Sequence, residues 1–323
     1  MERVKALLIK KGQKALEASK QYVLQKKMEY EPLGEALGYF IEDWCDLSHP
    51  TLLSLACEAV GGDPETTTQV GAALVLLAGA ADVHDDIIDN SITKNSKPTA
   101  FGKFGRDIAI LLGDALLFNG LYMLHEACEP LPKDQKQAIL EITKTAFYKI
   151  GNAEAMEVDL RGKLDLHPKE YLDIIKMKVS VAEAATKMGA ILGNGKPEEV
   201  ESLGHYGKAL GLLMTIRDEF IDIFELDELR NRFRNECLPL PILYAFQDPS
   251  RKKKIIQLLE QEEITKAKLD KILDLVINAG EVRKLGKEMR FLVKEALRNL
   301  SIVRENQDLF IQLLESTLID LPY

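Results

Sequence analysis

Two groups of carboxylates sit at helical spacing in this chain: Asp82, Asp85, Asp86 and Asp89 in the string DVHDDIID, and Asp218, Glu219, Asp222 and Glu225 in RDEFIDIFE, about 130 residues further on. A helix turns roughly 100° per residue, so positions i, i+3, i+4 and i+7 share one face and each group projects together. Carboxylates this close repel one another and raise one another's pKa unless cations neutralise them. Hard oxygen donors suit magnesium, which takes one or two carboxylates and fills its shell from substrate phosphates. The chemistry expected of two facing groups is a diphosphate clamped between metals.

Acidic residues on a helix face are most often a solvated surface. The run VGAALVLLAGAA at 70–81, leading directly into the first group, argues against that here, because it is apolar on every side and belongs in a core. The 3.6-residue period continues through almost every segment. It breaks at EPLG (31–34), GGDP (61–64), SKPT (96–99), EPLP (129–132), GNGKP (193–197) and Asp248-Pro249. Asp63-Pro64-Glu65-Thr66 and Leu166-His167-Pro168-Lys169-Glu170 read as capped helix starts with proline in the first turn. No run alternates as a strand does. The expected fold is an all-α bundle of about ten or more helices. The breaks are short and none resembles a linker, so one domain over 1–323 is expected.

A net charge of -9 argues against nucleic acid as a partner. The basic run Arg251-Lys252-Lys253-Lys254 reads as an exposed helix start. Cys45, Cys57, Cys128 and Cys237 show no CxxC spacing, which fits a reducing cytoplasm. Charges interrupt the N-terminal segment, so it reads as an amphipathic helix and not a signal peptide. The apolar run at 70–81 is too short to span a bilayer, and no transmembrane segment is expected.

His84-Asp85-Asp86-Ile87-Ile88-Asp89, then Lys97-Pro98-Thr99, Lys103-Phe104-Gly105 and Leu112-Gly113-Asp114-Ala115-Leu116-Leu117, resemble the trans-polyprenyl diphosphate synthases of the isoprenoid synthase superfamily. Asp159-Leu160, Lys178, Asp218-Glu219-Phe220-Ile221-Asp222 and Leu240-Pro241 extend the resemblance over nearly the whole chain. It implies helices around a central cavity, a homodimer, and ionisation of an allylic prenyl diphosphate (farnesyl or geranylgeranyl) followed by prenyl transfer. Magnesium would be held by Asp85, Asp86 and Asp89 and by Asp218, Glu219 and Asp222. Lys94 and Lys178 would hold the allylic diphosphate, and Ala80, Ala81 and Leu77 would line the space for its tail. Small residues at 80 and 81 serve close helix packing equally well.

The departures from the family pattern are one-sided. Relatives carry Gly-Lys-Arg-x-Arg-Pro to grip isopentenyl diphosphate, where this chain has Cys45-Asp46-Leu47-Ser48-His49-Pro50. Anchored on Pro50, the three bases become Asp46, Leu47 and His49. A carboxylate in place of a lysine reverses an interaction worth roughly 4 kcal/mol at about 4 Å and an effective dielectric near 20. The twin arginines after the first motif become Lys94 and Asn95, and Cys237 replaces a lysine. Thr215 and Met156 replace glutamines, and Val179 a threonine. Three readings follow: a chain-elongating synthase, a terpene-synthase-like enzyme that uses no isopentenyl diphosphate, or a non-catalytic subunit of a heteromer with a related synthase. Asp82 has no counterpart in the family pattern and would extend the metal site or salt-bridge a neighbouring helix.

Overall fold

The computed structural model describes residues 2–25, 28–94, 97–261, 265–300, 303 and 305–319. Asn95 lies outside them. The chain folds as two compact units. The first comprises Met1–Ala146, Val181–Gly207 and Ile302–Leu309, the second Phe147–Ser180, Lys208–Ser301 and Phe310–Tyr323.

In chain order the elements are α1 (Glu2–Leu24), α2 (Glu31–Asp43), α3 (Ser48–Ala59), a 3-10 turn (Pro64–Thr67), α4 (Thr68–Ile88), β1 (Thr93–Lys94), β2 (Lys97–Pro98), α5 (Ala100–Phe104) and α6 (Arg106–Cys128). There follow α7 (Lys133–Leu160), α8 (Pro168–Lys178), α9 (Ser180–Leu192), α10 (Pro197–Asp222), α11 (Leu226–Asn235), α12 (Leu240–Ala245), α13 (Pro249–Leu259), α14 (Lys266–Ile277), α15 (Gly280–Asn299) and α16 (Gln307–Ser316). The all-α expectation holds. Its exception is β1 and β2, two residues each, which pair antiparallel with Lys94 opposite Lys97. Segments this short carry no alternating pattern for sequence to reveal.

In the first unit α4 is the core helix, with Val70 to Leu76, Gly79, Ala80 and Val83 buried. Asp63 caps the 3-10 turn that leads into α4, accepting from the Glu65 amide at 3.0 Å. α6 packs most extensively on α4. The approach requires glycine on α6: a Cβ at Gly113 would stand 2.4 Å from His84 Nε2, and one at Gly120 2.9 Å from the Leu77 side chain. By length and apolarity α6 could cross a membrane, yet its buried residues (Ala109, Leu112, Leu116, Gly120, Met123, Leu124) recur every three or four positions, as on a helix with one face against a core.

In the second unit the short helix α12 is buried apart from the half-buried Tyr244 and packs on α8, α14 and α15. α15 is amphipathic, burying Val282, Leu285, Met289, Val293 and Ala296. α8 opens on a capping box, His167 with Glu170, with Pro168 in its first turn as the sequence predicts.

Candidate diphosphate and metal site

Each acidic motif ends a long helix, and each is already in contact with a basic side chain. On α4, Asp82 and Asp85 are half-buried, Asp86 is buried, and Asp89 is the C-cap. β1 brings Lys94 back to this helix end, with its Nζ 2.6 Å from Asp82 Oδ1 and 3.9 Å from Asp86 Oδ1. Asp82 is therefore the partner of Lys94. Burial, reinforced by Asp82, Asp85 and Asp89 and opposed by Lys94, pushes Asp86 up to about 7. Burial works against the charge on Lys94, but Asp82, Asp86 and Asp85 outweigh it and hold its pKa above the ordinary lysine value.

Asp85 Oδ1 is buried with no hydrogen-bond partner. A buried carboxylate oxygen left without a donor is costly, and a cation satisfies it. Hard oxygens, an orphaned lone pair and a neighbour whose proton a cation could displace fit magnesium. Among the described residues no three His, Cys, Asp or Glu side chains form a ready metal cage. That suits an ion completing its shell from water and substrate phosphates.

The second motif is arranged differently. α10 stops at Asp222, so Glu225 leaves the shared face and becomes the N-cap residue of α11. Asp218 is exposed, with Arg217 Nη1 at 3.9 Å. Glu219 is buried and both its oxygens are engaged: Oε1 by Arg232 Nη2 at 2.9 Å and the Tyr171 hydroxyl at 3.0 Å, Oε2 by the Leu240 amide at 2.6 Å. Asp222 Oδ2 accepts from Arg232 Nη1 at 2.7 Å. One guanidinium serves two carboxylates here, and burial, with Glu219, Glu228 and Asp218 adding to it against Arg232, raises Asp222 to about 7. Glu219, expected as a metal ligand, has both its oxygens engaged by protein donors.

Lys178 closes α8 and lies 3.0 Å from Glu154 Oε1 and in contact with Glu157 Oε2. The Tyr171 hydroxyl lies 3.3 Å from Glu157 Oε1 and accepts from Arg232 Nη2 at 2.8 Å. The lysine expected to hold diphosphate thus belongs to a buried network running through Glu157, Tyr171 and Arg232 to Glu219 and Asp222. Arg232 was missed in the sequence. Its signal was the cluster Arg230, Arg232 and Arg234 ahead of a position, Cys237, from which a lysine is absent.

Of the residues expected along the prenyl tail, Ala80 is buried, Ala81 is exposed, and Leu77 abuts α6 at Gly120. Trp44 packs on α4: its indole donates to the Val75 carbonyl at 3.3 Å and stacks on Phe40.

At the altered loop Asp46 turns inward. Its Oδ1 accepts from the amides of Ser48 and His49 at 3.0 and 3.2 Å, capping α3, and its Oδ2 lies 2.7 Å from His49 Nδ1. Burial opposes the charge on both groups, but their mutual attraction wins, lowering the pKa of Asp46 and raising that of His49.

The chain resembles known proteins in sequence and in fold. The chain is 32% identical over 180 residues to the short chain isoprenyl diphosphate synthase of Methanothermobacter thermautotrophicus, covering 55% of this chain and 54% of that one. It is 34% identical over 202 residues to geranylgeranyl pyrophosphate synthase 7 of Arabidopsis thaliana, covering 60% and 58%. These matches span little more than half of the curated relatives' length. Among solved structures, the geranylgeranyl pyrophosphate synthetase of Pyrococcus horikoshii superposes with a TM-score of 0.87 at 22% identity, covering 99% of both chains. A Caulobacter crescentus polyprenyl synthase complexed with calcium and isoprenyl diphosphate gives 0.81 at 20% identity, covering 97% of both. These two establish the shared fold. Residues 31–276 match the polyprenyl synthetase family model, and the chain is a member of that family.

Proposed function

We propose that this chain is a magnesium-dependent prenyltransferase that ionises an allylic prenyl diphosphate, farnesyl or geranylgeranyl, and transfers the prenyl group. The observation that carries the reading is the end of α4, where an orphaned Asp85 oxygen, a buried Asp86 and Lys94 meet in the family's motif order. On the first motif Asp85, Asp86 and Asp89 are the residues that hold metal, and on the second Asp218 is the exposed carboxylate. Magnesium, when bound, supplies the charge that stabilises departing diphosphate. Lys94 adds a positive charge at that helix end.

A second reading, ionisation without isopentenyl diphosphate, is favoured by one observation: Asp46 is spent on capping α3 and on His49. A carboxylate committed in this way offers no grip on a second diphosphate.

We also propose a homodimer. Leu111, Phe118 and Tyr122 are exposed on one face of α6, with the Phe118 and Tyr122 rings stacked, and a second copy of the helix would cover them. Four free thiols, three of them buried, support a reducing cytoplasmic setting.

The test is incubation with magnesium and farnesyl or geranylgeranyl diphosphate, with and without labelled isopentenyl diphosphate. Diphosphate release is expected. Label in a longer prenyl diphosphate establishes elongation, and an unlabelled alcohol or hydrocarbon establishes the second reading. Release from neither substrate overturns both and leaves a non-catalytic subunit.

A further inference from the structure

The two acidic motifs differ in what already balances their charge. At the end of α4 the basic partner is Lys94, half-exposed on a flexible stem, and Asp85 keeps an unsatisfied oxygen. At the end of α10 the partner is Arg232, only 5% exposed and held from several directions. Its Nε donates to the Cys237 carbonyl at 2.8 Å, Nη1 to Asp222, and Nη2 to Tyr171 and Glu219. Glu236 adds a carboxylate 3.2 Å from Nε. A guanidinium has five N–H groups, and here they are spread over a fixed ring of acceptors. Lys94 can exchange one oxygen for another by rotating its stem, whereas Arg232 cannot leave without abandoning all its acceptors inside the protein.

α11 explains why the arginine stands there. The helix carries Asp227 and Glu228 in its first turn and Arg232 and Arg234 in its last, the order that suits its dipole. It ends beside Cys237, a buried thiol that is never positively charged in either protonation state, so that position supplies no cation. The positive charge that side of the motif lacks at 237 is delivered from 232.

We propose that Arg232 is a built-in cation of the second acidic motif, so that Glu219 and Asp222 hold a guanidinium in place of magnesium, and metal binding depends on the first motif. The inference deepens the proposed function and rests on it for the identity of the metal site at Asp85 and Asp86. Arg232 is a positioning residue in this scheme.

The experiment counts Mn2+ bound to the purified full chain, by electron paramagnetic resonance of the free ion and by calorimetry, with inorganic pyrophosphate as the probe ligand. Asp86→Asn is expected to weaken Mn2+ binding about tenfold or more. Asp222→Asn is expected to leave the wild-type count and affinity unchanged. Arg232→Gln, which releases Asp222, is expected to gain a Mn2+ site that Arg232→Gln/Asp222→Asn lacks. Loss of Mn2+ in Asp222→Asn comparable with that in Asp86→Asn overturns the proposal, as does wild-type binding in Asp86→Asn. Should Arg232→Gln fail to fold, Asp222→Asn decides alone. Because the count needs no prenyl substrate, the expected Mn2+ pattern without diphosphate release from farnesyl diphosphate would overturn the proposed function and leave the role of Arg232 standing.

Discussion

Lys94 Nζ lies 2.6 Å from Asp82 Oδ1 but 3.9 Å from Asp86 Oδ1, so the residue absent from the family pattern, Asp82, is the one that holds the base. The pair is partly exposed, where such bridges contribute about 1 kcal/mol or less. A diphosphate must draw Lys94 away from Asp82 before the lysine can serve it. Asp82→Asn is therefore expected to strengthen metal-free binding of farnesyl thiodiphosphate by up to about fivefold. Lys94→Ala is expected to remove that gain. Calorimetry of both variants checks this, and equal affinities in wild type and Asp82→Asn would show that the pair does not compete with ligand.

The carboxyl group of Asp86, raised to about 7, makes stability depend on pH and on metal. In the unfolded chain it ionises near its ordinary value of 3.8, so between there and about 7 the folded state binds the proton more tightly. Stability from this group is present at low pH and falls as pH rises through that window. Thermal melts of metal-free protein should show the wild type losing more stability than Asp86→Asn between about pH 4 and 7. Magnesium with pyrophosphate should restore the wild type at the upper end and do nothing for the variant.

Much of this arrangement follows from short-range pattern, and the rest does not. The apolar run at 70–81 reads as a core helix because it is apolar on every side, and α4 buries Val70 to Leu76, Gly79 and Ala80 of it. The helix starts at Asp63 and His167 are legible because a cap and a proline are local chemistry. Asp82 could be seen as an extra acid but not assigned, because its partner arrives through β1 and β2, which carry no periodic signal. Arg232 reads as one of several surface arginines in LRNRFRN, and its burial comes from Tyr171, Glu219 and Cys237, distant or unremarkable in sequence. The substitution at Asp46 was visible, but its consequence was not: the side chain turns inward onto the α3 amides.

That inward turn makes the Asp46–His49 pair a stability element with its own pH window. The lowered Asp46 contributes above its unfolded value of 3.8 and loses that as pH falls through its folded value. The raised His49 contributes below its unfolded value of 6.5 and loses that as pH rises through its folded value. The contribution is complete between those unfolded values. Asp46→Ala should cost about 0.5–2 kcal/mol as a lost cap, measured by urea denaturation in that window. Asp46→Lys should cost more, because it puts a second positive charge beside His49. A stable Asp46→Lys variant would show that the loop can be rebuilt toward the family pattern.

Glu219 and Asp218 are neighbours in sequence and opposites in burial, and the proposed function makes the first a structural carboxylate and the second a ligand-facing one. Glu219→Ala takes one of three carboxylates from the buried Arg232, which keeps Asp222 and Glu236, and leaves the Leu240 amide without its acceptor. Breaking one side of a buried ion pair costs about 3–5 kcal/mol. Glu219→Gln should cost less, because it retains an oxygen for the Leu240 amide while giving up the charge. Asp218 is exposed and its nearest cation stands at 3.9 Å, so Asp218→Ala should leave the urea midpoint almost unchanged. Its effect should appear in calorimetry with magnesium and farnesyl thiodiphosphate, where affinity should fall by about tenfold or more. A variant at 218 that loses stability without losing affinity would place Asp218 in the fold and not at the ligand, and would leave the first motif as the sole metal-facing set argued for this chain.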